Sequence, residues 1–106
     1  VAIGLTMPRV AAAMLKHRLT PAAYQRAVAL SEFFDVDAAL NAGFFDELVS
    51  PDETLARAAA RAEEYKGLDQ KAHAVSKRRI RARLVRKIRF SIPLDLLDAA
   101  MLGLRR

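Results

Sequence analysis

The chain has 106 residues, of which 53% are hydrophobic and 28% charged, and its formal net charge is +6. That length suits one domain with a modest core, and the composition excludes wholesale disorder. Without cysteine there is no disulfide framework, no thiolate nucleophile and no zinc ribbon.

The longest unbroken apolar run, Val10–Leu15, falls far short of the ~18 residues that a membrane span needs. The first residues lack the basic, apolar and cleavage regions of a signal peptide, so a cytoplasmic location is expected. A chain that opens on Val1 instead of Met reads as part of a larger product. Charge is unevenly placed: residues 1–75 carry −2 and residues 76–106 carry +8. Any polyanion would therefore meet the last third of the chain.

Val1–Pro8 reads as extended or loop, with β-branched residues followed by Gly4 and Pro8. Arg9–His17 is a short Ala-rich helix. Thr20 and Pro21 supply an N-cap and a proline at the first helical position, opening a helix to about Glu32. Its apolar set is Ala23, Ala27, Leu30 and Phe34. Asp35 caps a helix over Val36–Ala42, which Gly43 ends as a left-handed residue. Phe44–Val49 has the aromatic and β-branched content of a strand. Ser50-Pro51-Asp52-Glu53 starts a helix whose stripe is Leu55, Ala59, Ala62 and Tyr65, stopped by Gly67. A long helix runs from about Asp69 to Phe90 on an Ile80–Leu84–Ile88 seam. Pro93 breaks it, and Leu94–Leu102 forms a last short helix. The fold class is mainly α with one or two short strands.

No catalytic constellation stands out. His17 and His73 lack partners at ligand spacing, so no metal site is expected, and one His is expected exposed and one partly buried. Asp46 and Glu47 on a strand would point to opposite faces, and Glu63 and Glu64 form a solvated helix face. The four glycines are too scattered for a phosphate loop, and no serine has a nucleophile-elbow context. The sharpest feature is Lys77–Arg89, with eight basic residues in thirteen. It reads first as a solvated face packed through its apolar seam. Without interleaved aromatics, nucleic acid is not its expected partner.

Val1–Pro8, Arg18-Leu19 and Ala38–Thr54 resemble the second half of the crotonase family, the enoyl-CoA hydratases and isomerases. The most specific piece is Ala39-x-x-Ala42-Gly43-Phe44-Phe45-Asp46-x-x-Val49-x-Pro51, followed by Glu53-x-Leu55-x-x-Ala58. The resemblance covers residues 1 to about 80 and continues beyond as a similar helical layout.

The resemblance implies the C-terminal helical region of the crotonase α/β spiral, with the N-terminal half of the enzyme absent. Residues 1–49 would end the spiral core and line a pocket, and residues 50–106 would form a trimerisation-type region. The family polarises an acyl-CoA thioester with an oxyanion hole, which lies in the half not matched here. A family glutamate acting as acid or base sits immediately before the segment matched by Val1-Ala2-Ile3-Gly4, so no catalytic residue is expected in this chain. Leu5, Met7 and Pro8 would line the acyl pocket, and Lys77, Arg78 and Arg81 are candidates for the phosphates of CoA. Coenzyme A enters as part of the substrate, with no separate cofactor, and a homotrimer or dimer of trimers is implied. Arg9-Val10-Ala11-Ala12 replaces the Gly-rich run that helps hold water in typical hydratases, which leans towards an isomerase-like or otherwise diverged member. A second reading, from a different class, is a non-enzymatic basic helical module that binds nucleic acid or an anionic surface.

Overall fold

In the computed structural model, which describes residues 3–104, the regular elements are helical. They are α1 (Arg9–Arg18), α2 (Pro21–Tyr24), α3 (Val36–Ala42), α4 (Thr54–Lys66) and α5 (Gln70–Leu104). The shape is elongated, 53 × 33 × 26 Å, with a radius of gyration of 17.5 Å. A compact domain of this length would have a radius near 13 Å. The long axis is α5 itself, since 35 residues at ~1.5 Å each span about that distance.

The first three helices form a corner in which each end has a local cause. Thr20 accepts a hydrogen bond from the Ala23 N–H, and Pro21 occupies the first turn. The α2 helix then widens into one π turn over Gln25–Ala29, so it ends before Glu32, and Leu30 is left 71% exposed. Asp35 accepts from the Ala38 N–H and starts α3. Gly43 ends α3 at φ +99°, as its left-handed position requires. A Cβ there would also stand 2.9 Å from the Arg18 carbonyl oxygen, because α3 ends against the α1–α2 junction. The Thr20 N–H donates to the Ala42 carbonyl at 3.0 Å across the same approach. Leu19, Ala23 and Ala42 are buried here, with Leu15, Tyr24, Ala27 and Phe34 packed around them. The Phe34 ring meets Phe44 edge-to-face at 5.4 Å.

Two expectations change. No strand occurs among the described residues: Phe44–Val49 is irregular, with Phe44 and Phe45 partly exposed. A strand needs a neighbour to take its N–H and C=O groups, and among the described residues no strand pairs with this segment. Nor does Pro93 break the chain, since α5 is one continuous helix with Pro93 inside it. Proline removes one ladder hydrogen bond and crowds the preceding turn, but the docking of α1 on both sides of it, at Ser91 and Asp95, holds the helical path.

The α4 helix begins from a 3₁₀ turn, Pro51–Glu53, in which the Glu53 N–H donates to the Ser50 carbonyl; the Ser50 side chain does not cap it. The stripe Leu55–Tyr65 stays exposed, with Leu55 at 83%. The seam of α5 is also shifted. Ile80 is exposed, whereas Leu84, Ile88, Ser91 and Asp95 form the covered line on which α1 packs. Val1 and Ala2 of the expected opening loop lie outside the described residues, and residues 3–8 are non-helical as expected.

Candidate functional site

The junction of α1 and α5 is built around two carboxylates, Asp95 and Asp98. Asp95 accepts from the Arg9 N–H through Oδ1 and from the Val10 N–H through Oδ2, both at 2.9 Å. It thereby caps α1, whose own preceding residue, Pro8, offers no side-chain acceptor. The Arg9 guanidinium reaches Asp95 at 3.2 Å and Asp98 at 2.6 Å. The Val10 N–H foremost, then Arg9, hold the Asp95 carboxyl below the usual carboxylate range against partial burial. Hydrogen bonds to Asp98 and Asp95 raise the Arg9 guanidinium. One turn before Asp95, Ser91 is fully buried, and its hydroxyl has no hydrogen-bond partner among the described residues. Its small size permits the close crossing with the Ala-rich α1.

Beside this junction lies an open cleft of about 680 Å³. Arg9, Lys16 and His17 of α1 line it with Arg83 and Lys87 of α5, together with Ala12, Ala13, Tyr24 and Leu84. On the other flank of α5, Lys77, Arg78, Arg81, Arg86 and Arg89 share a second basic surface. At ~100° per residue Arg83 and Lys87 fall on one side of the Leu84–Asp95 line, and Arg78, Arg81 and Arg89 on the other. The three CoA-phosphate candidates, Lys77, Arg78 and Arg81, are thus together, exposed, and away from the α1 cleft. The pocket-lining candidates are contiguous in the segment leading into α1: Met7 is half-buried, Leu5 is 43% exposed and Pro8 is exposed.

The acidic pairs noted in the sequence serve ion pairs. Asp46 accepts from Arg18 at 2.7 Å, and Glu47 is gripped by Arg57 and Arg61. The Arg57 hydrogen bond is the main cause of the lowered Glu47 pKa. Glu63 pairs with Lys66 and Glu64 with Arg61, both across one helical turn. Both histidines are exposed, in place of one exposed and one partly buried, because neither α1 beyond its seam nor the start of α5 is covered there. Among the described residues no group of three or more His, Cys, Asp or Glu could hold a metal ion. No described helix is long and apolar enough to cross a membrane.

Sequence reasoning missed the α1 half of the cleft. Its signal was present: residues 9, 12, 13, 16 and 17 follow helical spacing and so share one face. Asp95 and Asp98 are the only carboxylates after residue 75, which marks them as partners for a basic side chain.

These features define an elongated helical unit with two basic surfaces. No family model and no curated protein matches the sequence. Solved structures do. The chain is 45% identical to an enoyl-CoA hydratase from Mycobacterium ulcerans Agy99, with a TM-score of 0.83 over 91% of this chain and 42% of that one. It is 43% identical to a structure described as the Mtb enoyl-CoA isomerase, with a TM-score of 0.83 over 91% and 42%. To an enoyl-CoA hydratase/isomerase family protein from Pseudomonas syringae it is 33% identical, with a TM-score of 0.81 over 89% and 41%. The chain belongs to the crotonase, or enoyl-CoA hydratase/isomerase, family and corresponds to its C-terminal part. It spans about 42% of the length of the first of these structures, and the likeness extends past residue 80.

Proposed function

We propose that this chain forms the C-terminal region of an acyl-CoA enzyme that hydrates or isomerises enoyl-CoA thioesters. The observation that supports it is backbone likeness at 45% identity to an enoyl-CoA hydratase, over 91% of the chain. In this reading residues 1–49 end the spiral core, and residues 50–106 form the region through which subunits assemble as trimers. The exposed apolar side chains of α5, Phe90, Leu96 and Leu97, suit burial in such contacts. Leu5, Met7 and Pro8 line the acyl pocket. Lys77, Arg78 and Arg81 receive CoA phosphates through charge-assisted hydrogen bonds. The oxyanion donors and the acid or base come from the other half of the enzyme.

Isomerisation is the favoured reaction, because Arg9-Val10-Ala11-Ala12 enters α1 directly where hydratases have the Gly-rich run that helps hold water. The test is turnover of 2-enoyl-CoA and 3-enoyl-CoA by the complete enzyme containing this chain. Double-bond migration without net hydration is expected. Failure to turn over either thioester would remove the reading. The 106-residue chain by itself should be inactive on both.

A further inference from the structure

The cleft between α1 and α5 has the composition of an anion site on its own account. Arg9, Lys16 and His17 face Arg83 and Lys87 across it, and no carboxylate is among its lining residues. Arg9 is held at the rim by Asp95 and Asp98. The side chains of Lys16, Arg83 and Lys87 make no ion pair or hydrogen bond among the described residues. Solubility alone does not account for this placement, because α5 sets Arg86 and Arg89 on its other basic surface, where they are spread along the helix. Bringing like charges from two helices to one concavity costs electrostatic energy that an anion between them would reverse. Ala12 and Ala13 keep the lining short and the space open.

We propose that this cleft binds a diphosphate group, free or carried on a nucleotide. The planar Arg83 guanidinium can take two phosphate oxygens at once, and Lys16 and Lys87 supply compact charges beside it. The volume of about 680 Å³ lies in the range of small-molecule sites, and the half-buried Tyr24 ring gives a wall on which a base can stack. The site lies on the opposite flank of α5 from Arg78 and Arg81 and does not depend on acyl-CoA turnover.

Calorimetric titration of the full chain with pyrophosphate and, separately, with ADP at constant ionic strength tests the assignment. Saturable binding with a Kd of about 1 mM or tighter is expected. Lys16→Ala with Arg83→Ala and Lys87→Ala should weaken it roughly tenfold or more, as loss of charge-assisted contacts predicts. The charge-matched control, Lys71→Ala with Arg86→Ala and Arg89→Ala, should weaken it less than about threefold because none of the three lines the cleft and solvent screens them from it. None of the six side chains has an ion pair or side-chain hydrogen bond among the described residues, and alanine favours helix, so both variants should keep the parent circular dichroism. Tighter binding of ADP than of pyrophosphate, with the difference erased by Tyr24→Leu, assigns a nucleotide; equal binding assigns the diphosphate alone. Equal losses in the two triple variants, or pyrophosphate and ADP both binding more weakly than about 1 mM, would overturn the proposal.

Discussion

The corner of α1, α2 and α3 and the arm of α4 and α5 hold their helices by different means. In the corner the helices are short, ten residues in α1 and seven in α3. Isolated helices of that length are marginal in water, so side-chain caps, Gly43 and the cluster around Leu19, Ala23 and Ala42 fix them. In the arm, α5 propagates through 35 residues, and α4 buries no side chain of its own. One covered line on α5 and two carboxylates, Asp95 on the α1 amides and Asp98 on the Arg9 side chain, fasten the arm to α1. The corner therefore depends on backbone conformation, whereas attachment of the arm depends on charge.

Gly43→Val should expose this contrast most strongly. It combines a left-handed φ of +99° with a Cβ placed 2.9 Å from the Arg18 carbonyl. A loss of about 2–3 kcal/mol is expected from the backbone penalty and the clash. Urea unfolding should register it, and Gly103→Ala in the arm, where a Cβ meets nothing within 4 Å, should cost nothing. Comparable losses at both positions would erase the distinction.

Asp95→Asn should act on the attachment and leave the corner intact. Its folded carboxyl is held below the ordinary range, so the folded state binds the proton less readily than the unfolded one. The stabilisation is thus fully present above the ordinary carboxylate pKa of about 3.9 and is lost as pH falls through the lower folded value. Hydrogen exchange at neutral pH should show faster exchange of the Arg9 and Val10 amides in the variant. Acidification should bring the two proteins together. Undiminished protection of those amides would mean that another contact secures α1.

Ser91→Ala should have the smallest effect, and in the opposite direction. Removing a fully buried hydroxyl that has no partner among the described residues should be neutral or should stabilise by up to about 1 kcal/mol. Thermal unfolding would reveal it; a clear loss would mean that the hydroxyl is satisfied in solution.

The sequence carried the corner well because its signals are local. Thr20-Pro21, Asp35 and Gly43 each act within one turn of their own position, and each is found in the expected role. The segment Phe44–Val49 failed as a strand because propensity records a preference for a pleated surface and cannot supply the neighbour that makes one. Ile80 failed as part of the seam because helical spacing defines stripes without saying where along a 35-residue helix a partner lands.

By itself, then, the amino-acid sequence determined where most helices start, the left-handed stop at Gly43, the basic character of Lys77–Arg89 and a family resemblance carried by residues 38–54. These follow from groups that interact within a few residues of one another. Tertiary structure alone decided that α5 passes unbroken through Pro93, which face of its basic run meets α1, and that Asp95 caps a helix begun 86 residues earlier. Docking can outweigh a local helix-breaking preference, and it brings together charges whose distance along the chain hides their common site.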